Sequence, residues 1–218
     1  MIPLVHDFTD ETVLVFGGGP VGARKARRFD REAEVLVVSP DFVDRSFGSA
    51  SLVRAAPGPD AVADWLERTE PALVVAATDD ESTNETVADA ARARGVLVNR
   101  ADQAGGRDAG SVVVPATVRE GPVVVSVSTG GQAPALSKHL RQELETTLAG
   151  ADEMAAVCAD LRATLKSRDV PPSRRRKLVD DVASSSEIWT ALRSGATNRR
   201  QVIEDVLGDD PSTGGGAA

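Results

Sequence analysis

The first half of the chain alternates short, almost wholly apolar runs with segments of helical composition. Strands that are apolar at nearly every position are covered on both faces, and strands joined through helices form right-handed crossovers and a parallel sheet. The predicted strands are residues 12–16, 35–38, 73–77, 96–98 and 111–114, and the predicted helices between them are 23–31, 60–68 and 82–94. We therefore predict a Rossmann-like α/β domain over residues 1–114.

The turn between the first strand and the first helix reads "FGGGPVG" and meets the pattern G-x-G-x-x-G at Gly17, Gly19 and Gly22. In a dinucleotide-binding fold the first glycine permits a tight turn, the second lets the backbone approach a pyrophosphate, and the third lets the helix pack on the strand. The N-terminus of the helix then attracts the anion. Adjacent glycines also occur in plain loops, but a place after a strand and before a helix favours dinucleotide binding.

The end of the second strand, "VVSPDF", indicates which dinucleotide binds. An acidic residue about 20 residues beyond the glycines often binds the ribose hydroxyls of NAD, and Asp41 follows this strand. No arginine follows directly, although Arg45 is near, so the pattern favours NAD over NADP; alternatively, Asp41 only opens the next turn. The residues expected to contact the cofactor are Gly17, Gly18, Gly19, Pro20, Val21, Gly22, Asp41, Phe42, Ala77, Thr78 and Asn99.

Polar residues also follow the later strands of the predicted sheet. Asp80 and Ser82 precede a helix, and we interpret them as helix caps. Asp102 lies just beyond another strand, and ligands of open α/β sheets bind at the carboxyl ends of the strands. Asp102 is therefore a candidate catalytic base, with a turn-forming aspartate as the alternative.

A second region begins near Pro115, with a predicted strand at 123–127 and a helix at 134–148. Leucines recur at every fourth position of that helix and form one apolar stripe that needs a partner surface: Leu136, Leu140, Leu144 and Leu148. Three further segments, 152–165, 173–183 and 199–207, have helical composition. We predict a dimerisation region at 115–149, a helical domain at 150–208 and a disordered tail at 209–218.

Charge and composition narrow the function further. The chain has 33 acidic and 25 basic residues, a net charge of −8 that disfavours general nucleic-acid binding. A single cysteine, Cys158, indicates a reducing compartment. The sequence has no apolar run of membrane-spanning length and no signal peptide pattern, so we expect a cytoplasmic protein with no membrane partner.

Four segments in order resemble a known family: "GGGPVGARKAR", "AATDDESTNETVADAARARG", "VNRAD" and "VSVSTGGQAPALSKHLRQELE". They are similar to the bifunctional precorrin-2 dehydrogenase and sirohydrochlorin ferrochelatase module of siroheme synthases. The resemblance implies a homodimer that oxidises precorrin-2 to sirohydrochlorin with NAD and then inserts ferrous iron, its second substrate. It also implies that the aspartate of "N-x-x-D", Asp102, serves both steps, with no metal site beyond a transient contact with this residue.

The resemblance also places the tetrapyrrole substrate beside the "STGGQAP" loop. Hydroxyl groups, backbone amides and a helix N-terminus there suit a polycarboxylate, and nearby basic side chains would offset the acidic charge of the protein. The residues expected to bind substrate are Ser128, Thr129, Gly130, Gly131, Arg100 and Lys138. The alternative for this loop is a strand-to-helix turn with a cap.

Two features depart from the family. The connection "QAGGRDAGSVVV" after Asp102 is longer and richer in glycine than usual, and no methyltransferase domain follows, so a separate uroporphyrinogen methyltransferase is expected to supply precorrin-2. Two other functions stay open: a dehydrogenase without chelatase activity, and a non-catalytic NAD-sensing module, since the same fold serves many functions.

Overall fold

The computed structural model describes residues 3–56, 58–103 and 111–209. The chain divides into two units, Met1–Val114 and Pro115–Ala218. The glycine-rich part of the predicted long connection, 104–110, and the predicted tail from residue 210 onward lie outside the described residues.

The first unit is built on a five-stranded parallel sheet in the order β3-β2-β1-β4-β5. Its elements are β1 Thr12–Phe16, α1 Pro20–Phe29, β2 Glu34–Ser39, β3 Ser51–Arg54, α2 Pro59–Thr69, β4 Leu73–Ala76, α3 Glu81–Ala93 and β5 Leu97–Arg100. This arrangement confirms the predicted Rossmann-like α/β class, and it gathers the carboxyl ends of β1, β2, β4 and β5 at one edge.

Hydrophobic side chains bury both faces of the sheet, as the near-continuous apolar strands require. On one face Leu14 and Phe16 pack with Val74 and with residues of α2 and α3, whereas on the other Val13 and Val15 pack with residues of α1. Successive residues of β1 thus enter opposite cores, and the four are fully buried.

In this unit one predicted strand is absent and one observed strand was not predicted. Residues 111–114 form no strand; Ser111 makes a single parallel bridge to Val98, and the Val112 amide donates to the Val98 carbonyl. Conversely, the sequence did not predict β3. This strand pairs only with β2 at the edge of the sheet and leaves three of its four residues exposed, so it lacks the apolar run that marks a buried strand.

In the second unit an antiparallel hairpin precedes a group of helices. The elements are β6 Ala116–Glu120, β7 Val123–Val127, α4 Pro134–Thr147, α5 Ala151–Ser167, α6 Pro172–Ser184, α7 Ser186–Ser194 and α8 Arg199–Asp209. Sequence reasoning missed β6 and α7.

The core of this unit contains Met154, Val157, Leu161, Leu165, Val170, Val182 and Val202. On the predicted stripe of α4, Leu136 is 48% and Leu140 is 38% exposed. Among the described residues, no helix combines the length and apolar character needed to cross a bilayer.

Candidate functional site

In the glycine turn between β1 and α1, close packing within the protein requires glycine at two positions. Gly17 has φ +124°, and a Cβ there would lie 2.3 Å from the Ala77 carbonyl oxygen at the end of β4. A Cβ on Gly22 would lie 1.9 Å from the Gly17 carbonyl oxygen, where the first turn of α1 crosses the loop. Both distances are far inside van der Waals contact, so these glycines allow the strand, the turn and the helix to pack closely.

Gly18 joins the turn to the end of β2. A Cβ there would lie 2.1 Å from the Asp41 carbonyl oxygen, and the Gly18 carbonyl accepts a 3.0 Å hydrogen bond from the Val43 amide. The Gly17 amide in turn donates to the Val38 carbonyl at 3.0 Å. These contacts hold the Asp41 loop against the glycine turn.

Gly19 differs from the other glycines of this turn. No atom of the described residues lies within 4 Å of the position that a Gly19 Cβ would occupy, and the residue has an ordinary extended backbone with φ −77°. Gly19 is the N-cap of α1, and the described residues supply no side-chain cap there. Packing and backbone conformation therefore do not require glycine at this position, but the close approach of a ligand backbone or phosphate would.

A cavity of about 970 Å³ opens at this carboxyl edge of the sheet. Its walls come from the glycine turn, the end of β2, the segment before α2 and the end of β4. The lining residues are Gly17, Gly18, Gly19, Pro20, Val21, Ser39, Pro40, Asp41, Phe42, Val43, Ala56, Gly58, Ala77, Thr78, Asp79, Asp80 and Thr83. Nine of the eleven residues expected to contact a cofactor therefore lie together around one space of ligand size, and whether they bind it stays a prediction.

The end of β4 is held by an asparagine that sequence reasoning missed. Asn84 of α3 is 1% exposed, and its Oδ1 accepts from the Thr78 amide at 3.0 Å and from Thr78 Oγ1 at 2.8 Å. Its Nδ2 donates to the Thr78 carbonyl at 3.1 Å. Asn84 thus orients Thr78, which lines the cavity. The sequence feature that could have identified Asn84 is its position in the first turns of a helix that follows a strand.

Asp80 caps α3, as predicted, but the same prediction for Ser82 was wrong, because Ser82 lies in the first turn of α3 and donates its hydroxyl to Asp80. Its carboxylate accepts from the Thr83 amide at 2.9 Å and from Ser82 Oγ at 2.8 Å. Hydrogen bonds from Thr83 and Ser82 lower the pKa of Asp80 to about 2. The cap therefore carries its negative charge at neutral pH, at the N-terminus of the helix.

Asp102 forms an ion pair with Arg100, the last residue of β5. Arg100 Nη2 donates to Asp102 Oδ2 at 2.7 Å and Arg100 Nε to Oδ1 at 3.2 Å, a two-point contact. The Arg100 side chain is 6% exposed and that of Asp102 is 27% exposed. The hydrogen bonds from Arg100 lower the pKa of Asp102 below its usual value, against burial, which raises it; Asn84 contributes a further lowering. Asp102 is therefore ionised at neutral pH.

The structure gives two other predicted ligands internal partners. Asn99 is buried, its Oδ1 accepts from Lys25 Nζ at 2.7 Å, and its Nδ2 donates to the Val112 carbonyl at 2.8 Å. It therefore lies away from the cavity wall and ties β5 to α1 and to the chain after β5. Gly22, the other predicted ligand outside the wall, supports the turn through its contact with Gly17.

The "STGGQAP" loop of the second unit uses its hydroxyls within the protein. Thr129 Oγ1 lies 3.0 Å from Ser137 Oγ and accepts from the Ala133 amide at 3.2 Å. Ser128 Oγ accepts from the Gly130 amide at 3.3 Å. These hydrogen bonds are those of a strand-to-helix turn, as in the alternative, but no side chain caps α4, whose N-cap is Ala133. Lys138 lies exposed on α4, and substrate binding by these residues stays a prediction.

Two family models match successive parts of the chain. A family model described as putative NAD(P)-binding matches residues 4–116, and one described as sirohaem biosynthesis protein central matches residues 120–147. A precorrin-2 dehydrogenase of Methanosarcina barkeri is 30% identical over an alignment of 203 residues, and the match covers 88% of this chain and 86% of that protein. The chain belongs to the precorrin-2 dehydrogenase and siroheme synthase family. The resemblance seen in the motifs is thereby confirmed.

Other members of the family are longer. A siroheme synthase of Stutzerimonas stutzeri is 35% identical over 215 residues, and the match covers 94% of this chain but 44% of that protein. The chain thus spans less than half the length of the siroheme synthases that it matches. The solved structure of SirC, a precorrin-2 dehydrogenase, has a TM-score of 0.70 at 22% identity and covers 94% of this chain and 98% of that one. It has the same fold.

Proposed function

We propose that this chain is an NAD-dependent precorrin-2 dehydrogenase whose dinucleotide lies in the cavity beside the glycine turn. The observation that carries the proposal is Gly19, which lines that cavity and has open space at its Cβ position, although the neighbouring glycines are held by close contacts. The first turn of α1 would hold the pyrophosphate. Family membership supports the substrate, because the M. barkeri relative, matched over most of its length, is named precorrin-2 dehydrogenase.

Asp102 is the candidate proton acceptor. NAD, when bound, would supply the hydride acceptor of the reaction, and the proton that the substrate also loses needs a base. The Arg100 pair keeps the pKa of Asp102 low, so the carboxylate is ionised at neutral pH and passes a received proton readily to water. Because Arg100 is occupied by this contact, its first role is to orient Asp102, and direct binding of the substrate by Arg100 would have to compete with it.

Asp102 would also accept pyrrole N–H protons when ferrous iron enters sirohydrochlorin, so chelatase activity is the second part of the proposal. Within the described residues no group of three or more His, Cys, Asp and Glu is arranged to hold a metal ion. Iron would then be handled as substrate through Asp102. The exposed leucines of α4 support the proposal of a homodimer.

Absorbance spectroscopy tests both steps. Mixing the chain with precorrin-2 and NAD should give the spectrum of sirohydrochlorin, and ferrous ion should then give that of siroheme. Asp102→Asn should retain dinucleotide affinity and lose dehydrogenation by about 100-fold, within the range for one general base. Asp89→Asn, an exposed carboxylate paired with Arg92, is the matched control and should keep full activity. Full turnover by Asp102→Asn would remove Asp102 from the mechanism, and no spectral change with the parent would contradict the function.

A further inference from the structure

An arginine lies at the rim of the cavity although the sequence places it far from the glycine turn. β3 pairs with β2 so that Arg54 lies opposite Ser39. Arg54 Nη1 is 2.7 Å from Asp41 Oδ1 and 3.1 Å from the Pro40 carbonyl oxygen, and the guanidinium carbon lies 5.8 Å from the centre of the Phe42 ring. Its three neighbours Pro40, Asp41 and Phe42 all line the cavity.

The two partners of this ion pair are accessible to a ligand. The side chain of Arg54 is 67% exposed and that of Asp41 is 90% exposed. An exposed pair of this kind contributes little to folding, so either partner can exchange its contact for one with a bound molecule.

NAD and NADP differ in the group on one ribose, a 2′-hydroxyl or a 2′-phosphate. An acidic residue beyond the second strand accepts a hydrogen bond from the hydroxyl, whereas an arginine accommodates the phosphate. Asp41 suits the hydroxyl and repels the phosphate. The planar guanidinium of Arg54 suits the phosphate, but in this structure Asp41 and Pro40 already accept hydrogen bonds from it.

We propose that the Asp41–Arg54 pair determines the choice between NAD and NADP at this cavity. Asp41 selects the 2′-hydroxyl of NAD, and it also keeps Arg54 from a 2′-phosphate. Arg54 is a latent phosphate ligand that becomes effective when the Asp41 charge is removed. The inference rests on the proposed dinucleotide site and is independent of the tetrapyrrole substrate.

Calorimetric titration of the full chain with NAD and with NADP tests the pair. The parent should bind NAD at least about tenfold more tightly than NADP. Asp41→Asn should weaken NAD binding and strengthen NADP binding by about tenfold, the effect of about 1.4 kcal/mol. Adding Arg54→Gln to Asp41→Asn should abolish the gain in NADP affinity. Arg45→Gln, an exposed arginine on the same loop, is the matched control and should change neither affinity.

Three outcomes would overturn the role of the pair while leaving the dinucleotide site in place. They are equal NADP affinities of Asp41→Asn and of the double variant, an NADP preference of the parent, or an equal loss of the NADP gain when Arg45→Gln, instead of Arg54→Gln, is added to Asp41→Asn. The side chains of Asp41 and Arg54 are both exposed, so we expect each variant to fold, and a circular dichroism spectrum equal to that of the parent would confirm it. Selection between the dinucleotides without conversion of precorrin-2 would refute the proposed dehydrogenase and support the pair. Absence of binding of either dinucleotide to the parent would overturn both.

Discussion

The glycine-containing turns before α1 and before α4 both lead into a helix that begins with proline, and they use their polar groups differently. In the first, residues 17–22 before α1, Gly17 and Gly22 pack internally while Gly19 faces a cavity. In the second, residues 128–133 before α4, the hydroxyls of Ser128 and Thr129 accept hydrogen bonds from the backbone of the same turn.

The difference shows that glycine spacing alone does not make a ligand site. Among the described residues, no atom lies within 4 Å of the position that a Gly130 Cβ would occupy either, but Gly130 has φ +63°, a backbone conformation that favours glycine. The backbone conformation of Gly19 does not favour glycine in this way. What distinguishes the first turn is an open, conformationally ordinary glycine at a helix N-terminus inside a concave site.

The largest effect should come from Gly17. Gly17→Ala would place a Cβ 2.3 Å from the Ala77 carbonyl oxygen at φ +124°, so we expect a loss of about 4 kcal/mol in the free energy of unfolding, from backbone strain and overpacking together. Gly130→Ala, which has positive φ without a close contact, should lose about 1 kcal/mol. Urea denaturation measures both. Equal losses of free energy of unfolding in Gly17→Ala and Gly130→Ala would show that the two turns do not differ in packing.

The ion pair of Arg100 and Asp102 at the end of β5 should come next. Arg100→Gln leaves the Asp102 carboxylate without its two-point partner, and we expect a loss of about 3 kcal/mol, the lower end for broken buried pairs, because Asp102 is 27% exposed. If Arg100→Gln and the control Asp89→Asn lowered the free energy of unfolding equally within error, the Arg100–Asp102 pair would not stabilise the fold.

The same pair predicts a pH dependence. Since the pKa of Asp102 is lowered in the folded chain, its contribution to stability is present above its unfolded pKa of about 4 and is lost as pH falls towards the folded value. Asp102→Asn should therefore lose less stability than the parent between about pH 5 and pH 3. Parallel stability curves for the two chains would contradict this assignment.

Gly19 should affect binding without affecting folding. Gly19→Asp puts a side chain and a negative charge where the pyrophosphate would lie, so we expect NAD affinity to fall by at least about 100-fold, or about 2.7 kcal/mol. Gly130→Asp makes the same change in the second turn and should bind NAD like the parent. Similar affinities of the two variants would break the comparison.

The smallest effect should come from Thr129. Thr129→Val removes the oxygen that accepts from the Ala133 amide, and we expect a loss of about 1 kcal/mol in stability, as for one intramolecular hydrogen bond. NAD affinity should stay unchanged. An increase in stability would show that this hydroxyl does not stabilise the turn.

The parts of the molecule that the sequence predicted well are those decided by local pattern. The strands β1 and β7 begin and end where the predicted apolar runs do, and the glycine turn lies between a strand and a helix as its spacing indicates. β3 was missed because an exposed edge strand has no apolar run. Arg54 was missed with it, since only the pairing of β3 with β2 brings this arginine to Asp41. Long-range partners such as Lys25 for Asn99 depend on tertiary packing, which no local pattern encodes.

Hydrogen–deuterium exchange of the full chain with and without saturating NAD tests the central claim most directly, because it reports both turns at once. The account predicts slower exchange at residues 17–22 and 39–43 and unchanged exchange at residues 128–133. Unchanged exchange at residues 17–22, or protection confined to the second turn, would contradict it.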